Sequence, residues 1–224
     1  VAPAAHAQRQ LGNKKGPASK IYVAETKGDT QIQTGDKIYS AQQATAFDAS
    51  GTVIETKENA HNAFVYSNGT GMYVDQNSRV EITRFQQEPF LPDRNKDALV
   101  EPSISVSDVL VARGAIGICT SRLISGSSMS YSTPHATLHI RGGRIAIETL
   151  PDRTIIDLLE GDLTVRSSRE DVGGQVLRPG ERAVVHPGAA GEAPSVTIEP
   201  IPPEVLSIVE ARVNVACNAR RTVS

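Results

Sequence analysis

Residues Thr154–Ser168 read TIIDLLEGDLTVRSS. Two short apolar runs flank Glu160-Gly161-Asp162, and a little further on a second cluster reads QVLRPGERAVV. Short β-branched runs bounded by turn residues predict strand, turn, strand. Neither stretch carries a reactive constellation, so the clearest signals in this chain are turns. The stretch just before, HATLHIRGGRIAIETL, alternates on both sides of Gly142-Gly143 and reads as a hairpin. Pro179-Gly180 fixes a further turn.

The same grammar extends upstream. In NAFVYSNGTGMYVDQNSRVEITRF, Ala63 and Val65, Met72 and Val74, then Val80 and Ile82 sit at period-two spacing. Ser67-Asn68-Gly69 and Gln76-Asn77-Ser78 separate them with turn residues. GDTQIQTGDKIYS and GTVIETK predict short strands around Gly35-Asp36 and Ser50-Gly51. The middle differs: EPFLPDRNKDALVEPS carries three prolines and mixed charge and reads as a long loop or crossing segment. ISVSDVLVARGAIGICTSRLIS then supplies one or two strands, and GSSMSYS a polar turn. Near the end, Pro202-Pro203 suits a helix start. Val205, Ile208, Val209 and Val213 recur at helical spacing, while RVNVAC alternates, so a short helix followed by a strand is expected. Nothing else is helical, and the class is all-β.

The chain has 224 residues and a formal net charge of -2. A chain of that size buries roughly 70% of its unfolded surface and needs no metal to fold. A dedicated nucleic-acid binder normally shows a basic surplus, which is lacking here. No apolar run approaches the ~20 residues a membrane-crossing helix needs. The opening VAPAAHAQRQLG, with Ala5-His6-Ala7, is similar to the region around a secretory cleavage site, and an exported protein is expected. Residues Val1 to Leu11 have no strand period of their own. Val1, Ala2, Pro3, Ala4 and Ala5 are expected to dock on a sheet edge, of their own chain or of a neighbour. Cys119 and Cys217 are the two cysteines, and no CxxC occurs. In an exported protein they pair; otherwise they are two buried thiols.

Catalytic and metal motifs are weak. His135 and His139 stand four apart, a zinc spacing on a helix. On a strand that spacing is roughly 13 Å, too far for one ion. Asp93, Asn95 and Asp97 alternate like the start of a calcium loop, with Glu101 four further on. Ala98 stands where that loop has glycine, and Ile104 where it has its last acid, so Ca²⁺ is an outside candidate and no cofactor is expected. No G-x-S-x-G occurs. Asp157 and Glu160 read as acids around a surface turn, not as a glycosidase pair. Aromatics make up 4%, with no Trp, which disfavours sugar and single-strand nucleic-acid platforms built on rings. Tyr66 and Tyr73, flanking the 68–71 turn, are expected to pack on the sheet.

The order of the turns resembles the FecR-type domain, an extracytoplasmic β module of bacteria. Its first half is similar to Gly35-Asp36, Ile38, Ile54-Glu55-Thr56, Ala63, Val65, Asn68-Gly69, Met72, Val74, Asn77-Ser78, Val80 and Ile82. Its second half is similar to Thr133-Pro134, Arg141-Gly142, the run from Leu158 to Val165, and that from Leu177 to Val184 with Gly180-Glu181. Gly143 stands where that family often has threonine. The resemblance implies a β-sandwich or short β-solenoid with a long middle insertion and a short C-terminal helix. It divides the chain into an N-terminal extension (1–19), a first half (20–85), an insertion (86–130), a second half (131–190) and a C-terminal segment (191–224). It implies a sensing or interaction module of the periplasm or cell surface. Its best-known members bridge an outer-membrane receptor to a cytoplasmic sigma factor, a task needing segments not seen in these residues. A non-enzymatic envelope or fibre subunit that assembles with itself or with an envelope protein is therefore the leading expectation. A ligand or partner sensor and a polysaccharide-binding module are the alternatives.

Overall fold

The computed structural model describes residues 18–91, 99–168 and 170–222. The candidate calcium residues Asp93, Asn95 and Asp97, and the candidate docking residues Val1, Ala2, Pro3, Ala4 and Ala5, lie outside them. Among the described residues one sheet of 15 strands folds over into two layers. The first half of the chain supplies β1 (Lys20–Lys27), β2 (Thr30–Thr34), β3 (Lys37–Ser40), β4 (Ala46–Asp48), β5 (Thr52–Thr56), β6 (His61–Tyr66), β7 (Gly71–Val74) and β8 (Arg79–Gln87). Three long strands follow: β9 (Ser105–Thr120), β11 (Thr137–Thr149) and β12 (Thr154–Arg166), with the short β10 (Ser128–Ser132) between the first two. β13 (Gln175–Leu177), β14 (Glu181–His186), β15 (Ser195–Pro200) and the helix α1 (Pro203–Arg220) complete the fold.

The three long strands belong to both layers. The first part of β9 pairs with β8 and runs parallel to β10, while its second part pairs with β7 and β11. β11 pairs with β10 through Thr137–His139 and with β9 through Gly143–Thr149. β12 pairs with β14 through Thr154–Asp157 and with β13 through Leu163–Val165. One layer therefore runs β4-β1-β6-β7-β9-β11-β12-β14-β15. The other runs β3-β2-β5-β8-β9-β10-β11-β12-β13. The stretch 86–130, set apart by the family resemblance, holds β9, the seam of both layers.

Glycines make the corner. β11 and β12 are antiparallel along their length, with Gly143 opposite Gly161 and register shifts on either side. Both have positive φ, 129° and 102°. A Cβ on Gly143 would sit 2.0 Å from the Glu160 carbonyl oxygen, and one on Gly161 2.0 Å from that of Gly142. Only residues without a side chain let two bulged strands cross so closely. This corrects two expectations. Gly142-Gly143 and Glu160-Gly161-Asp162 are not turns but bends within continuous strands. The turn joining β11 to β12 lies at Leu150–Arg153, closed by the Leu150 N–H on the Arg153 carbonyl at 2.9 Å.

One core fills the space between the layers. Ile21, Val23, Phe64, Met72 and Ile118 of the first layer meet Ile32, Ile54, Ile82, Phe85 and Leu138 of the second, all at most 1% exposed. Each such side chain stabilises the fold by roughly 1.5–3 kcal/mol. Tyr66 and Phe85 stack across the layers with centroids 4.8 Å apart. The predicted turns at 35–36, 50–51, 67–69, 76–78 and 179–180 fall between strands. The C-terminal strand expected at RVNVAC is overturned: those residues continue α1, with Pro203 in its first turn. Val209, Val213, Ala216 and Ala219 are buried at spacings of four, three and three, a helical face that outweighs the local alternation.

Candidate functional site

The outer faces of the two layers are built differently. On the first, Ala24, Ala63, Val65 and Ala146 keep the surface low, and α1 lies on it. Gly71 and Gly117 let the helix backbone touch the sheet. A Cβ on Gly71 would sit 2.0 Å from the Ala216 carbonyl oxygen, and one on Gly117 2.7 Å from that of Arg212. Cys119 on β9 and Cys217 on α1 form a disulfide with Cα atoms 5.1 Å apart. Arg212 holds Asp75 at 3.1 Å and Glu148 at 3.6 Å. Arg144 donates to Glu160 at 2.9 Å and to Asn214 of the helix at 2.6 Å. Arg220 donates to the Cys119 sulfur and to Ser121 Oγ, and its burial lowers the guanidinium below its usual range. Burial, and next the charge of Asp75, push the Tyr73 phenol up to about 12. Beside the helix, Arg182 grips Asp157 with two bonds of 2.6 and 2.9 Å.

Among the described residues, the second outer face carries no helix. Its β5–β8–β9 side neutralises itself: Arg79 pairs with Glu55 and Glu81, and Arg113 also reaches Glu55. Its β10–β11–β12 side opens into a groove of about 1300 Å³, walled by the 122–128 loop and ending at the glycine corner. The wall is held by a buried carboxylate. Glu101 is 5% exposed and accepts the Ile124 N–H at 2.9 Å and the Ser105 hydroxyl at 2.7 Å. Ser127 Oγ accepts the Ser105 N–H, and the Leu123 N–H bonds the Arg141 carbonyl at 2.9 Å. On the floor, His139 stands opposite Thr164, and Arg166 opposite Thr137. Arg122, Arg141 and Arg166 all line the groove, with Glu160 and Asp162 at its corner end. Glu160 is engaged by Arg144. Among the described residues, Arg122, Arg141 and Arg166 have no ion-pair partner, and Arg166 Nε is buried without a hydrogen bond.

The residues singled out from sequence go to separate places. His135 Nδ1 lies 2.9 Å from Thr154 Oγ1, itself 2.7 Å from Thr133 Oγ1, which ties the 133–136 turn to β12. His139 bonds Ser130 at 3.1 Å. Among the described residues no group of three His, Cys, Asp or Glu is placed to hold a metal ion. Asp157 and Glu160 lie within β12 and not around a surface turn: Asp157, 4% exposed, takes Arg182, and Glu160 takes Arg144. Tyr66 is buried and Tyr73 donates to Asp75 at 3.2 Å. The groove arginines were missed. Arg141 and His139 alternate outward in HIRGG, which was the available signal.

No family model and no curated protein matches the chain. Its fold is similar to two crystal structures of a candidate anti-sigma factor from Parabacteroides distasonis ATCC 8503. Each is 11% identical, with a TM-score of 0.48 over 69% of this chain. The chain spans 62% of the length of those structures. A likeness at this level shows neither a shared family nor a shared activity. Among the described residues no helix is long and apolar enough to cross a membrane.

Proposed function

We propose that the protein is a non-enzymatic, extracytoplasmic binding module, a ligand or partner sensor related to FecR-type domains. The groove on the uncovered face carries the reading. It presents guanidiniums without ion-pair partners on its floor; among the described residues its lining holds no cysteine, and its one histidine, His139, bonds Ser130 at 3.1 Å and no carboxylate. That composition suits recognition more than bond breaking. The Cys119–Cys217 disulfide supports an oxidising compartment, since such bonds are rare in the cytosol. The partner is then an envelope protein. The self-assembling fibre reading rests on features not seen in the sequence and on Val1 to Leu11, which lie outside the described residues, and no described residue supports it. Sedimentation and electron microscopy over a wide concentration range test the choice. A particle of constant small mass is expected; filaments that lengthen with concentration overturn the reading in favour of a fibre subunit.

A further inference from the structure

Arginine usage across the fold is uneven. Arg79, Arg113, Arg144, Arg153, Arg182 and Arg212 each reach a carboxylate. Three of those that do not, Arg122, Arg141 and Arg166, line one groove in a chain of net charge -2. We infer that this groove binds an extended acidic segment of a partner protein, its carboxylates taken by Arg122, Arg141 and Arg166. The inference rests on the binding-module reading and names the partner's chemistry.

Geometry favours an extended chain. Arg141, His139 and Thr137 lie at alternate positions on one face of β11, roughly 6.6 Å apart per step. Arg166 stands across from Thr137, so the arginine sites at its two ends are separated by roughly 13 Å along the strand. An extended peptide presents every second side chain with that same period. Acidic residues two and four apart therefore come into step with the row. Arginine suits the task because its planar fork takes a carboxylate with two parallel bonds. Ser125, Ser127 and Thr164 supply further polar contacts, and Val100, 43% exposed, an apolar one. Asp162 lines the corner end of the groove, where it disfavours an acid. An acidic polysaccharide offers the same carboxylates on sugar rings, but among the described residues no aromatic side chain lines the groove to receive rings. Nucleic-acid bases lack a stacking platform for the same reason.

Fluorescence anisotropy with a labelled peptide of alternating Glu and Ser tests this, with the alternating Gln and Ser peptide as control. Saturable, salt-sensitive binding of the acidic peptide alone is expected. The combined variant Arg122→Gln, Arg141→Gln, Arg166→Gln weakens it about tenfold or more, because charge-assisted bonds are lost. Arg84→Gln with Arg178→Gln, which removes two arginines outside the groove, leaves it unchanged. Circular dichroism melts establish that both variants are folded. Equal loss in both variants, equal binding of the Gln peptide, or tighter binding of polygalacturonate than of the acidic peptide overturns the inference. If the protein keeps a constant small mass yet ignores the acidic peptide, this inference fails and the binding-module reading stands. Filament formation defeats that reading itself.

Discussion

The two outer faces of the sandwich start from the same backbone and end differently. One sets alanine, valine and glycine directly beneath α1, with polar side chains such as Asp75, Arg144 and Glu148 engaging the helix. The other carries charged and hydroxyl side chains and stays open. Small residues let the helix backbone approach the sheet, and that approach occupies the face. Long polar side chains hold any helix away, and that face is left for something else. Within the open face the contrast repeats: Glu55, Arg79 and Glu81 satisfy one another, while the groove arginines do not.

The largest break in this comparison comes from unlocking the helix. Cys119→Ser with Cys217→Ser opens a loop spanning 98 residues. Such a loss costs about 2–5 kcal/mol, visible as a lower urea midpoint and faster hydrogen exchange along α1. Intact mass after alkylation without reduction is the direct check on the bond, and no alkylated thiol is expected. Filling the space under the helix comes next. Gly71→Val drives a side chain into the Ala216 carbonyl, costing about 1–3 kcal/mol and exposing apolar surface to a reporter dye. On the open face the same measurements barely move. The triple groove variant, Arg122→Gln, Arg141→Gln and Arg166→Gln, shifts stability by about 0.5 kcal/mol or less, because nothing folded depends on those side chains. If it lowers stability as much as Gly71→Val, the groove is a structural element and the contrast is wrong.

The smallest effect is a pH step on the self-paired side. A hydrogen bond from Arg79 holds the Glu55 carboxyl below its usual 4.5, against the opposing effect of burial. The folded state then binds this proton less readily than the unfolded chain. Its contribution is present above pH 4.5 and is lost as pH falls through the folded value. Urea midpoints below that pH decline in the wild type, and Glu55→Gln flattens that decline.

Much of this could be read in advance because turn chemistry is local. Asn68-Gly69 and Pro179-Gly180 carry their conformations with them, as does the proline pair that opens α1. Gly142-Gly143 and Gly161 misled because a glycine within a strand has two uses. Which one applies depends on a register, Gly143 against Gly161, that neither stretch contains. RVNVAC misled because alternation in six residues weighs less than an apolar face spread over Val209 to Ala219. The groove was hidden for a third reason. Arg122 lies beyond the end of β9, Arg141 in β11 and Arg166 at the end of β12, and only the pairing of those strands makes them neighbours.

Three strands shared between two layers also set how the molecule comes apart. β9, β11 and β12 cannot leave one layer and remain in the other, so neither layer has a separate transition. Segments 20–85 and 131–190 expressed alone each lack β9 and the partner edges it provides. Pairings such as Arg79 with Arg113 and Thr30 with Thr56 join residues distant in sequence, which makes folding slow, in the range of roughly milliseconds to seconds. The same interlock means that the groove floor does not loosen by partial melting. A bound segment leaves by its own dissociation, and its lifetime on the protein is a property of the contacts and not of the scaffold.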